Sequence, residues 1–250
     1  MTTKLLQPEI EPDSGYFDVA GFASAALANA STLAAVFDHT LLKPEATHDQ
    51  VVKLCEEAAT HRFACAMVNP AWVSLAHSVM VGSGVPVGVV VGFPLGANLT
   101  TTKREEALSV IKLGAHEVDM VMNIGLVKSR MKALVEQDIR GVAEVVHDAG
   151  AVLKVILETS LLSVEEKLCA SEVALAAGAD FLKTSTGFST GGATPADVAI
   201  LRGVAGNRCG VKASGGIRTL SDARAMLEAG ATRIGASASV AILRQYQDEA

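Results

Sequence analysis

A closed (β/α)8 barrel of the α/β class, a TIM barrel, is the fold this sequence predicts, and three observations predict it. Short β-branched runs alternate eight times with longer Ala/Leu/Glu-rich stretches of helical period, at intervals of roughly 30 residues, the length of one βα unit. The strand segments read as near-continuous apolar runs, which requires burial on both faces and therefore a parallel sheet. No composition break or linker divides the repeats. Eight uninterrupted units favour a closed barrel over an open doubly wound sheet of five or six strands.

The elements follow in order. Residues 1–30 precede the repeat as an N-terminal extension, expected to be disordered at first and helical from Phe17 to Ala30; residues 31–250 form the single barrel domain. The predicted strands are Val36–Leu41, Phe63–Val68, Val87–Gly92, Glu117–Met122, Val152–Leu157, Ala179–Ser185, Gly210–Ser214 and Ala231–Ala236. Thr47 precedes a helix reaching Thr60, Thr102 starts one that ends at Gly114, and Ser163 with Glu166 three residues on forms a capping box. Three helices end on a Gly-Ala pair, at Gly114, Gly178 and Gly230, where a left-handed glycine turns the chain into the next strand.

Composition narrows the function. The 250 residues carry a net charge of −6, which argues against an extended basic surface for nucleic acid or acidic lipid. Hydrophobic residues make up 50% but aromatics only 4%, so the apolar mass is small and β-branched. The longest apolar stretch, Val85–Ala97, is interrupted by glycine and proline and falls short of the roughly 20 residues of a spanning helix. The N-terminal sequence lacks the basic and apolar regions of a secretory signal. Cys55, Cys65, Cys169 and Cys209 are scattered without a CxxC pair, which reads as reduced thiols in a cytoplasm and gives no metal site.

Charge inside buried strands is costly and singles out a site. Asp119, Lys154, Lys183 and Lys212 each sit in a strand run. Any one of them reads equally well as half of an interior ion pair. Three lysines and one aspartate on adjacent strands cannot all pair with one another. Lys183 and Lys212 fall near the ends of neighbouring strands, about 4.8 Å apart, where each disfavours the other's charge and pulls an amine below the usual value of about 10.4. A neutral amine attacks a carbonyl to give an imine, an electron sink for breaking or making the adjacent carbon–carbon bond. Asp119 would move protons to and from a substrate hydroxyl, through water.

Glycine and serine cluster at the last three strand ends, in Thr186–Gly187, Ser214–Gly215–Gly216 and Gly235–Ala236–Ser237. Loops after strands 7 and 8 form the common phosphate site of this fold, so a phosphorylated substrate is expected. Arg218 either adds charge there or lies on the surface. Gly82–Ser83–Gly84 precedes a strand and reads as a turn, not a dinucleotide loop. The six histidines show no ligand spacing; beside His39, Asp38 is placed to orient a lysine. Cys65 reads as a buried, inert thiol.

The segments FDHTLLKPEAT (37–47), EVDMVMNIG (117–125), FLKTSTGF (181–188), VKASGGIRT (211–219) and RIGAS (233–237) closely resemble the deoxyribose-phosphate aldolase family, in order and at family spacing from about residue 33 to 240. The resemblance implies reversible cleavage of 2-deoxy-D-ribose 5-phosphate to D-glyceraldehyde 3-phosphate and acetaldehyde. It implies Lys183 as the imine-forming lysine, Lys212 as the second lysine that lowers its pKa, Asp119 as the acid/base group and Asp38 as support for Lys212. Gly187, Gly215, Gly216, Gly235 and Ser237 match the phosphate-binding loops. It further implies no cofactor or metal, small phosphosugar and aldehyde partners, and a homodimer or homotetramer. Lys154 is assigned a polar-network role. The sequence departs from some members at Phe188, where they carry lysine, at Ala238, where they carry a second serine, and at Tyr246, where they end on tyrosine. A different phosphosugar lyase or isomerase on the same barrel, a pyridoxal-phosphate enzyme and a non-catalytic scaffold remain as alternative readings.

Overall fold

In a computed structural model that describes residues 16–249, eight parallel strands close on themselves in chain order. They are β1 (Phe37–Leu41), β2 (Cys65–Val68), β3 (Val87–Val91), β4 (Glu117–Val121), β5 (Val152–Ile156), β6 (Phe181–Lys183), β7 (Gly210–Ser214) and β8 (Arg233–Ala236). The final pairing of β8 with β1 aligns Asp38 with Gly235. Each falls within its predicted run. The run at β6 is trimmed most, although the Thr184 N–H still donates to the Lys212 carbonyl beyond its end.

The helices of the repeat are α3 (His48–His61), α4 (Val73–Met80), α5 (Thr100–Lys112), α6 (Ile124–Lys128), α7 (Lys132–Asp148), α8 (Val164–Ala176), α9 (Pro195–Ala205), α10 (Leu220–Glu228) and α11 (Ser239–Glu249). The Ser163–Glu166 capping box forms as expected, whereas α5 starts two residues ahead of Thr102. Gly114, Gly178 and Gly230 all take positive φ, at 106°, 100° and 110°.

The segment expected to be one helix from Phe17 to Ala30 divides into α1 (Val19–Ala26) and α2 (Ala30–Ala34). Asn29 causes the division: its side chain accepts from the N–H groups of Ser31 and Thr32, which starts a new helix. The stretch expected to be disordered lies outside the described residues. The segment is tied to the barrel at two points. Tyr246 Oη donates to the Leu27 carbonyl at 2.7 Å, so its hydroxyl is engaged at the end of α1. The Phe17 ring lies 4.1 Å from the Arg202 guanidinium. No helix of the described residues is long and apolar enough to cross a membrane.

Alternation along the strands separates two interiors. Val118, Met120, Leu153, Val155, Leu182 and Val211 face outward into the main core under the helices. The inward face carries no charge at β2 and β3, where Cys65, Met67 and Val90 meet Leu42 and Phe93. From β4 round to β1 the inward face carries charge.

Candidate active site

Period-two alternation puts Asp119, Lys154, Lys183 and Lys212 on the same inward face, and register fixes their neighbours. Asp119 aligns with Lys154 and Lys183 with Lys212. Lys183 Nζ lies 2.7 Å and Lys212 Nζ 2.6 Å from the same Asp119 Oδ2, while Lys154 Nζ donates to Oδ1 at 2.9 Å. Lys212 also pairs with Asp38 Oδ2. Lys154 reaches Glu117 Oε2 at 2.5 Å and Asp38 Oδ2 at 3.5 Å. Arg233 Nη1 completes the layer, 2.7 Å from Asp38 Oδ1 and 3.2 Å from Glu117 Oε2.

The lysines are therefore better supplied with counter-ions than the expectation of one aspartate allowed. Glu117 and Arg233 join Asp38 in the network, giving three carboxylates against four cations. With every group ionised the cluster carries one excess positive charge, and loss of one proton makes it neutral. Lys183 is the group disposed to lose it. Burial, with added repulsion from Lys212 and Lys154, outweighs the pull of Asp119 and lowers its pKa to about 8. The leading cause is thus desolvation, with the neighbouring lysine second to it among the lowering effects. Burial raises the Asp119 carboxyl, but Lys154, Lys183 and Lys212 together hold it well below the usual carboxylate range.

Above this layer a cavity of about 400 Å³ opens at the C-terminal ends of the strands. Lys183 and Lys212 reach it, and Gly187, Gly215, Gly216, Gly235 and Ser237 line it, together with Lys43, Thr186, Phe188 and Arg218. Asp119 and Asp38 are completely buried and sit beneath, outside the lining. Glycine is favoured at one position and sterically required at another. A Cβ on Gly235 would lie 3.0 Å from both Lys212 Cε and Ser214 Cβ, so its absence makes room for the lysine stem. A Cβ on Gly192 would lie 2.4 Å from the Gly215 carbonyl oxygen, which accepts from the Ala193 N–H, so the β6 and β7 loops pack backbone to backbone.

Cys65 is buried, and desolvation raises its thiol well above the ordinary value. Its sulfur lies within 4.8 Å of carboxylate oxygens of Asp38 and Glu117. That trio does not fit a metal ion: Lys154 and Arg233 already bond both carboxylates, and the thiol is held in its protonated form. His39 faces away from the cavity and bonds Glu57 at 2.9 Å.

Glu117 and Arg233 are buried strand charges of the same kind. Glu117 opens both its predicted run and β4, where a strand residue reads as a rim residue, whereas Arg233 opens β8 but falls inside its predicted run, Ala231–Ala236. Yet Glu117 is two residues from Asp119, hence on the same face, and Arg233 is the register partner of Lys212.

A closed barrel whose interior places an amine of pKa about 8 at the floor of an open polar cavity is built for lysine-dependent lyase chemistry, the class I aldolase type. The family model for DeoC/LacD family aldolases matches residues 32–245, and the chain belongs to this family. The deoxyribose-phosphate aldolase of Bacillus subtilis is 55% identical over 213 residues, covering 85% of this chain and 95% of that protein. The deoxyribose-phosphate aldolase of Halalkalibacterium halodurans is 54% identical over 219 residues, covering 87% and 97%. Among solved structures, a tetrameric deoxyribose phosphate aldolase from Aeropyrum pernix superposes with a TM-score of 0.86 at 35% identity, covering 93% of this chain and 98% of that one.

Proposed function

We infer that the chain is a deoxyribose-phosphate aldolase, which cleaves 2-deoxy-D-ribose 5-phosphate reversibly through an imine on Lys183. The observation that carries the reading is Lys183 itself, an amine of pKa about 8 at the cavity floor, 2.7 Å from a carboxylate.

Neutral Lys183 attacks C1 of the open-chain sugar, and loss of water leaves a protonated imine. The C3 hydroxyl gives up its proton as the C2–C3 electron pair moves into the iminium, releasing the triose phosphate and leaving an enamine. The enamine is protonated at its terminal carbon, and hydrolysis frees acetaldehyde and Lys183. Because Asp119 lies beneath the lining with both oxygens bonded to ammonium groups, its exchange with the substrate runs through the Lys212 and Lys183 amines. Lys212, which contacts both Asp119 and the cavity, is the group to relay that proton. Asp38 holds Lys212 in place. Gly187, Gly215, Gly216, Gly235 and Ser237 receive the phosphate, with Lys43 and Arg218 adding local positive charge. Phe188, in the position where some members carry lysine, meets the Phe93 ring edge-on at 5.1 Å.

The quaternary state we propose is a homodimer or homotetramer. Cys55, Cys65, Cys169 and Cys209 are all free, which supports a reducing, cytoplasmic setting.

The decisive experiment treats the purified protein with acetaldehyde and borohydride and locates the added mass. An adduct on Lys183, together with cleavage of deoxyribose 5-phosphate, is expected; an adduct on Lys154 or Lys212 would reassign the nucleophile. The pH dependence gives a second check. Lys183 must lose its proton to attack, so imine trapping rises with pH through a midpoint near 8. Lys212→Leu removes a like charge, raises the Lys183 pKa and moves that midpoint upward; an unmoved midpoint would remove Lys212 from this role.

A further inference from the structure

Glu158 follows β5 and touches none of the groups assigned above to the chemistry, yet it combines two unfavourable features. Its backbone is left-handed, at φ 56° and ψ 62°, a conformation costly for a residue with a Cβ. Its carboxylate is only 2% exposed in surroundings that supply no cation within ion-pairing distance among the described residues, and its Oε1 has no hydrogen-bond partner. Burying such a group is expensive. A glycine would relieve the first cost and any neutral side chain the second.

What the side chain does provide is a clamp. Oε2 accepts from the Thr186 N–H at 3.2 Å and from the Thr186 hydroxyl at 2.5 Å. The hydroxyl oxygen in turn accepts from the Phe188 N–H at 3.0 Å. Residues 186–188 are thereby fixed through one carboxylate oxygen, and all three line the cavity.

We propose that Glu158 is a positioning residue for the substrate: it holds the Thr186–Phe188 turn, and with it the end of the cavity that takes the phosphate. The inference rests on the phosphosugar reading given above. Its reach is specificity, because the clamped turn serves the phosphate end and not Lys183.

The test compares kcat/KM for deoxyribose 5-phosphate with that for unphosphorylated deoxyribose in Glu158→Gly. Glycine suits the left-handed backbone, so a purely conformational role predicts an unchanged ratio. The clamp predicts a ratio lower by about tenfold or more, carried in KM, from misplacement of the binding turn. Glu158→Gln keeps an acceptor for Thr186 and restores the ratio to within about threefold of wild type. If the glycine variant does not fold, Glu158→Asn also tolerates the left-handed region but is one methylene too short to reach. Equal losses on both substrates, or no loss, overturn the proposal. Hydrogen exchange at the Thr186 and Phe188 amides supplies a readout independent of turnover. About tenfold faster exchange in Glu158→Gly supports the clamp, and unchanged exchange overturns it. A wild-type protein that ignores deoxyribose 5-phosphate would sink the functional reading, and the exchange result would still decide the clamp.

Discussion

Replacing Lys183 by leucine is expected to abolish aldol cleavage, lowering kcat on the order of 10⁴-fold or more, because it removes the cavity amine whose pKa burial lowers to about 8. Lys212 shares the cavity, but it is held by both Asp38 and Asp119. The variant should fold. Asp119 keeps Lys154 and Lys212 as partners, and the lost group is the one that leaves the cluster with a surplus charge. Circular dichroism and thermal melting beside the activity assay separate the two effects. Retained turnover, or borohydride trapping at an unchanged rate, would show that the nucleophile lies elsewhere.

The second large effect is expected at Asp119→Asn. This change preserves shape and removes the anion shared by three ammonium groups. Uncompensated buried charge costs about 3–5 kcal/mol when one partner of a buried pair is lost, so a clear drop in melting temperature is expected. Turnover should fall by about 10²–10⁴-fold through the lost proton transfer. Imine trapping should respond in the opposite sense. Asp119 raises the Lys183 pKa, so its neutralisation lowers the midpoint below 8. An amine that reacts at lower pH in a protein that cleaves more slowly would distinguish proton transfer from nucleophile activation. A parallel loss of trapping and cleavage would count against that division of labour. The acid limb changes as well. The Asp119 carboxyl is depressed in the fold, so its stabilising contribution is complete above the unfolded value of about 3.9 and is lost as pH falls toward the folded value. The Asn variant lacks that component and should show a shallower acid dependence of stability.

The barrel was legible because strands buried on both faces leave an unbroken apolar signature, against which a lysine stands out. Asp119, Lys154, Lys183 and Lys212 stand out in this way and Asp38 is singled out beside His39, and the structure brings all five into one contact network. Burial as the main cause of the lowered Lys183 pKa could not be read from spacing, since it depends on the depth of the amine below the cavity. Glu117 opens its predicted run and so reads as a rim residue, whereas Arg233 falls inside the run Ala231–Ala236 and differs from the lysines only in standing at the first position of the observed strand. Glu158 lies in a loop and acts across to the next one, so no period marks it. The Phe93–Phe188 contact joins loops 95 positions apart in the chain, after β3 and β6, and is equally invisible to local pattern. The helix break at Asn29 falls inside a segment whose composition reads as one helix.

Asp38 belongs to the first strand and Arg233 to the last, 195 positions apart, and Asp38 also grips Lys212 across 174. The two ends of the repeat are thus joined inside the interior charge layer as well as along the ladder. A nascent chain lacking its last strand holds Lys183 and Asp119 already, yet leaves Asp38 without Arg233 and the interior open along one side. The charge layer is therefore completed only with closure of the seam. It follows that no sub-fragment ending before Arg233 contains the complete charge layer, whose closing contacts join positions far apart in the sequence and are slow to form because of their loop-closure entropy.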